Sequence, residues 1–252
     1  MIAKNMFNIR VVWKSNPLPI IEASRFFYIY LKNLSKINSS FFEPILSKES
    51  HRDVPILVNK LSKDEVVKLI ANSILNFSKK DIRKYEKELN PTIDYSRDFG
   101  FSFVLRYLKE EMKRLISFNV VIGCSNYGGM SSLNVNLDDN NFTWYFNLLQ
   151  ALSSVSLTGV VDIRDLSYNE MCKQYTKPLG WITYFSNEYE LEIPDDLEGF
   201  EYEYTDKGKY LIATREDFTQ SKEFYDKQKE KLLRTMEYLG KTVPGYLVVF
   251  QS

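Results

Sequence analysis

An α+β fold built on antiparallel sheet packed with helices is predicted by three features of the 252 residues. Two sets of three strand candidates follow one another closely: Phe99–Leu108, Leu115–Cys124 and Leu133–Leu137, then Gly180–Ser186, Phe200–Tyr204 and Lys209–Thr214. The connections of the first set carry Lys109-Glu110-Glu111 and Tyr127-Gly128-Gly129, which suits an antiparallel meander. Between and after these sets lie segments of helical periodicity.

The elements read in order as follows. Phe7, Ile9, Val11 and Trp13 alternate with Asn8, Arg10 and Val12, a strand pattern. Ile20 to Leu34 repeats apolar residues at helical spacing, with Ala23, Phe27, Tyr30, Leu31 and Leu34 on one face. Residues 38–60, with Pro44 and Pro55, read as irregular. Ser62-Lys63-Asp64-Glu65 is a capping box, so a second helix starts there. Asp81 to Leu89 is a short charged helix that Asn90-Pro91 stops. After the first three strands, Phe142 to Val155 is an apolar helix, Val160 to Leu166 a strand and Tyr168 to Gln174 a short helix. Lys207-Gly208 turns the chain between the last two strands of the second set. Asp217 to Leu239 is a long amphipathic helix, and Gly245 to Phe250 a closing apolar strand. The order suggests an internal duplication of a strand–helix–three-strand–helix unit, without a repeated residue pattern. No Gly/Ser linker divides the chain. The expectation is one domain, 1–252, or two closely packed subdomains of about 1–157 and 158–252.

Apolar residues are 44% and charged residues 26% of the chain, ordinary for a globular protein. Aromatics reach 15%. Formal charge is zero overall but unevenly spread. Residues 1–126 hold 21 basic and 13 acidic residues, and residues 127–252 hold 12 and 20. Such an asymmetry favours oriented protein encounter over general nucleic-acid binding. Cys124 and Cys172 are the only cysteines, with no close Cys or His spacing, which argues against a disulfide framework and a zinc site. The start, Met1 to Phe7, lacks a signal-peptide core, and no apolar run approaches membrane-spanning length. The expected location is the cytoplasm.

Residues that could carry chemistry are sparse. His51 is the sole histidine, in the polar loop Ser50-His51-Arg52-Asp53, and fits a solvated residue better than a catalytic one. Gly123-Cys124-Ser125 has no adjacent base, and Tyr127-Gly128-Gly129 lacks the rest of a phosphate-binding loop. Pro194-Asp195 lacks the acidic-x-Lys partner of a metal nuclease, and the basic run Lys79 to Lys84 is diluted by Asp81. Trp13, Trp144 and Trp181 lie in apolar periodic segments and read as core. The chain is therefore expected not to be an enzyme and to need no cofactor or metal.

One stretch stands apart. Glu188, Glu190, Glu192, Asp195, Asp196, Glu198, Glu201, Glu203 and Asp206 follow one another with no Lys or Arg among them. Tyr189, Phe200, Tyr202 and Tyr204 are interleaved. Nine carboxylates without a local counter-charge repel nucleic acid and suit a protein whose own site is basic. Residues Glu188, Tyr189, Glu190, Glu192, Asp195, Asp196, Glu198, Glu201, Tyr202 and Glu203 are the candidate partner-binding set. The plainer alternative is a solvated loop and edge strand.

Several motifs together resemble the Immunity protein 52 family. Phe7-Asn8-Ile9-Arg10-Val11-Val12-Trp13 followed by Glu22-Ala23-Ser24-Arg25 is similar to its opening, and Gly100-Phe101-Ser102-Phe103 to its Leu-Gly-Phe-Ser strand. Gly123-Cys124 falls in a matching strand. Gly180-Trp181-Ile182-Thr183-Tyr184-Phe185-Ser186 resembles its Gly-Trp-Leu-Thr-Tyr-Leu-Ser run, the most specific of the set. Leu211-Ile212-Ala213-Thr214, with Asp217-Phe218, resembles its closing segment. Arg106-Tyr107-Leu108 departs from the family's Trp-Asn-Gly turn, and Arg97-Asp98 only loosely matches its Arg-Asp pair. The resemblance implies an immunity protein of a bacterial polymorphic toxin system. Its partner would be a cognate toxin C-terminal domain, commonly a nuclease of restriction-endonuclease fold delivered by machinery such as type VI secretion. Two other classes stay open: a small-molecule enzyme with a carboxylate acid/base site, and a structural adaptor of a secretion apparatus.

Overall fold

The computed structural model describes residues 7–12, 20–37, 44–46, 61–68, 101–107, 116–122, 130–135, 141–154 and 156–247. The fold is α+β. The chain divides into two compact units, one of Val12–Asn134 and one of Met1–Val11 with Val135–Ser252.

The unit Val12–Asn134 holds helix α1 (Ile20–Ile37) and strands β2 (Pro44–Leu46), β3 (Phe101–Tyr107), β4 (Ile116–Ile122) and β5 (Met130–Val135), which ends at the unit's border. Strand order is β2-β3-β4-β5, with β2–β3 and β3–β4 antiparallel. Leu31 and Leu34 of α1 are buried, as its apolar spacing requires. The capping box forms as read. Glu65 Oε2 accepts from Ser62 N–H at 2.8 Å and Ser62 Oγ at 2.7 Å, Ser62 Oγ accepts from Glu65 N–H at 3.4 Å, and residues 63–68 are helical. Two readings change. Residues 44–46, read as irregular, form a strand of three residues, too short for a periodic signal, with Pro44 at its first position. β5 starts at Met130 rather than Leu133, because Ser131-Ser132 interrupt the apolar pattern. Trp13, His51, Lys79 to Leu89, and Gly123 to Gly129 lie outside the described residues.

The other unit is built on a five-strand order β1-β6-β7-β9-β8. Its strands are β1 (Phe7–Val12), β6 (Thr158–Ile163), β7 (Ile182–Ser186), β8 (Glu201–Tyr204) and β9 (Gly208–Ile212). The β6–β7, β7–β9 and β9–β8 pairs are antiparallel. Helices α2 (Phe142–Ser153), α3 (Leu166–Cys172) and α4 (Lys222–Thr242) complete it. Each has a side-chain N-cap: Asn141 to Thr143 N–H, Asp165 to Tyr168 N–H and Ser221 to Phe224 N–H. The long helix thus begins at Lys222, not Asp217; Asp217 instead accepts from Thr219 N–H in a turn of its own.

Trp181, 0% exposed, sits at the centre of this unit. Its ring meets Phe7 at 4.7 Å, Tyr145 at 5.5 Å, Phe218 at 5.8 Å and Phe142 at 6.1 Å, and its Nε1–H donates to Thr214 O at 2.8 Å. Ile182 to Phe185 are all buried; β7 lies between β6 and β9, and α2 packs against it. Two glycines are needed for close approach. A Cβ at Gly180 would lie 2.2 Å from Val161 O, and one at Gly208 2.1 Å from Phe185 O. The closing strand is described only to Leu247, which bridges Tyr175. Among the described residues no helix is long and apolar enough to cross a membrane.

Candidate functional site

The acidic stretch occupies a loop, residues 187–200, and strand β8 at the end of the five-strand order. The loop is tied down at several points. Asn187 N–H donates to Lys207 O at 2.8 Å and Tyr189 N–H to Ser186 O at 3.1 Å. Tyr189, half-buried, packs on Phe185 at 5.2 Å, and burial pushes its phenol up to about 12. Ile193 and Leu197 are buried anchors. Tyr202 reaches back from β8. Its hydroxyl accepts from Leu197 N–H at 2.8 Å and donates to Pro194 O at 3.2 Å.

The expectation of nine carboxylates without a local counter-charge is corrected. Arg215, just past β9, donates Nε–H to Glu201 at 2.8 Å and Nη2–H to Glu203 at 2.9 Å, with its guanidinium 5.2 Å from the Phe142 ring. Lys209 of β9 pairs with Asp195 and donates to Ile193 O. Lys231 of α4 donates to Gly199 O and Ala213 O and lies 5.1 Å from the Phe200 ring. These cations come from outside the run, brought in by strand register and by the helix. A reading of the run alone misses them. The hairpin turn at Lys207-Gly208 is the signal that could have found Lys209, since it sets Tyr204 opposite Lys209.

The remaining carboxylates are different. Glu190, Glu192, Asp196, Glu198 and Asp206 are exposed and make no ion pair with any described residue. Glu188 is exposed as well. Tyr202 and Tyr204 stack at 6.2 Å, and Tyr204 is 60% exposed. Of the candidate set, the structure gathers Asp195, Glu201, Tyr202 and Glu203 into one bonded framework around β8 and leaves Glu190, Glu192, Asp196 and Glu198 projecting from the loop. Beside residues 196–199 runs a groove of about 760 Å³, with Lys227, Arg234 and Tyr238 of α4 on its other wall.

A second polar cluster lies inside the unit. Arg10 of β1 pairs with Asp162 of β6 at 2.5 Å, and Lys177 is only 7% exposed. Burial pushes the Asp162 carboxyl up, offset by Arg10 and Lys177, and lowers the Lys177 ammonium to about 7, with Arg10 adding to the drop. Among the described residues, Arg10 Nε and Asp162 Oδ1 have no hydrogen-bond partner. Burial also pushes the Cys172 thiol up to about 12, which leaves it unreactive. None of these residues lines the groove at 196–199. The sequence signal for this cluster was Asp162, a carboxylate inside the apolar strand Val160-Val161-Asp162-Ile163. Among the described residues no group of His, Cys, Asp and Glu could hold a metal ion.

No family model matches the chain, and no curated protein matches it. A solved structure described as Pseudomonas aeruginosa T6SS protein PA0821 is similar at a TM-score of 0.49 and 9% identity, covering 90% of this chain and 76% of that chain.

Proposed function

We propose that this chain is an immunity protein of a polymorphic toxin system that binds a cognate toxin domain and neutralises it stoichiometrically in the cytoplasm. The toxin is a nuclease of restriction-endonuclease fold, delivered by machinery such as type VI secretion. The sequence resemblance to the Immunity protein 52 family supports the reading, and one structural observation carries it: five exposed carboxylates with no ion pair among the described residues. Four of them, Glu190, Glu192, Asp196 and Glu198, project from a loop fixed by Tyr202, Lys209 and Lys231, and Asp206 lies in the turn between β8 and β9. Unpaired charge on a pinned loop meets a basic groove with little ordering cost. The chain acts by binding, not by catalysis.

The experiment is co-expression with the C-terminal domain of the toxin encoded beside this gene. Restored growth and a complex of defined stoichiometry are expected. The absence of both protection and a complex with the folded protein overturns the reading. Metal-dependent cleavage of DNA or RNA by the purified protein, lost on a point mutation in this chain, overturns the claim that it is no enzyme.

A further inference from the structure

In antiparallel pairing, residues that exchange hydrogen bonds with the neighbour alternate with residues that do not. Thr205 N–H donates to Gly208 O at 2.8 Å. The register Tyr204↔Lys209, Glu203↔Tyr210, Tyr202↔Leu211 and Glu201↔Ile212 then assigns the rest. Glu201 and Glu203 exchange bonds with β9. Tyr202 and Tyr204 turn their N–H and C=O groups the other way. On the β7 side, Ala213 N–H to Trp181 O and Asn187 N–H to Lys207 O give the complementary alternation. β8 ends the strand order, and no described residue takes the outward groups of Tyr202 and Tyr204.

We propose that β8 is a docking edge on which an extended segment of the toxin adds as a further strand. The backbone of Tyr202 and Tyr204 supplies the ladder. The side chains select the occupant. Glu201 and Glu203 line one face, bridged by Arg215. Tyr202 and Tyr204 line the other. An incoming strand that alternates basic and apolar residues satisfies both faces. A second copy of β8 would set Glu beside Glu, a like-charge arrangement that disfavours self-pairing. This inference rests on the toxin-binding reading and assigns it a mode.

The test uses the full chain and the C-terminal domain of the toxin encoded beside its gene. Tyr204→Pro removes one outward N–H and leaves the β9 ladder intact, since Pro is tolerated where an edge N–H faces solvent. Tyr204→Val keeps the N–H and the strand preference. Tyr204→Pro is expected to weaken binding about tenfold or more, and Tyr204→Val by less than about threefold. Hydrogen exchange at the Tyr202 and Tyr204 amides of the wild-type protein should slow in the complex. That measurement stands even where Tyr204→Pro does not fold. Wild-type binding with both amides exchanging as in the free protein overturns the strand mode and leaves the immunity reading standing. Absence of wild-type binding overturns both. Protection of these amides in a dimer at high concentration without toxin makes a second copy the occupant and overturns the proposal.

Discussion

Strands β7 and β8 carry similar aromatic chemistry and end in opposite environments. β7, Ile182-Thr183-Tyr184-Phe185-Ser186, lies between β6 and β9 and is buried through Phe185. β8, Glu201-Tyr202-Glu203-Tyr204, is last in the order, with no residue fully buried. Aromatic content does not separate them. The alternating partner does: Thr and Ile can be desolvated cheaply beside tyrosine, and glutamate cannot. The lesson is that composition admits a strand to the sheet, while the residues between its aromatics decide how deep it sits.

The comparison breaks most visibly at its buried end. Trp181→Ala should cost about 3–5 kcal/mol, a large share of a typical domain's roughly 5–15 kcal/mol. Denaturant melts should show it, together with loss of soluble protein. A well-folded variant with unchanged melting but no toxin binding would move Trp181 from the core to an interface. The junction between the two regions comes next. Gly208→Ala should cost about 1–3 kcal/mol, since its Cβ would press on Phe185 O, and the same melts measure it.

A third prediction concerns pH. Unfolded, Lys177 holds its proton to its ordinary value of 10.5; folded, it releases it near 7. Between these values the unfolded chain binds more protons, so stability rises with pH, by at most about 1.4 kcal/mol per unit. The raised Asp162 acts with the opposite sign, only from its ordinary 3.8 up to its folded value. Melting temperature should therefore climb between pH 7 and about 8.5, below the ordinary 9.0 of Cys172, whose raised thiol opposes the climb above that value, and Lys177→Met should flatten the climb. Equal slopes for the two proteins would remove Lys177 from the account.

The exposed end should barely register in stability. Glu201→Gln removes half of the Arg215 bridge and should cost about 0–1 kcal/mol. Glu190→Lys with Glu198→Lys touches no ion pair and should leave melting within about 0.5 kcal/mol. It should nevertheless slow toxin association, more so at low salt, where the added repulsion is less screened. The Lys79→Glu, Lys80→Glu pair, on the basic half of the sequence, should slow it far less. Association rates at two salt concentrations decide this. Unchanged rates return the loop to a solvated surface.

Much of the fold could be read from the chain because local chemistry and burial agree. Phe7, Ile9 and Val11 alternate and are buried, and Ser62 and Glu65 cap the helix they announce. The edge strand and its turn are also where charge and Lys207-Gly208 place them. What could not be read depends on register and depth. The counter-charges Arg215, Lys209 and Lys231 are remote in sequence or one strand away. Lys177, between Thr176 and Pro178, reads as an exposed loop residue until tertiary packing covers it. The strand at Pro44–Leu46 exists because β3 offers it a partner.

The place of β1 has a consequence for how the chain is born. β1 lies beside β6, roughly 150 residues later in the sequence. At ribosomal speeds that interval lasts roughly 8–30 s. Through it, Phe7, Ile9 and Val11 wait without the strand and the tryptophan they will cover. The five-strand unit can close only after β6 and the strands that follow it have emerged. Within this unit β1 is then the strand that stays exposed longest before its β6 partner exists.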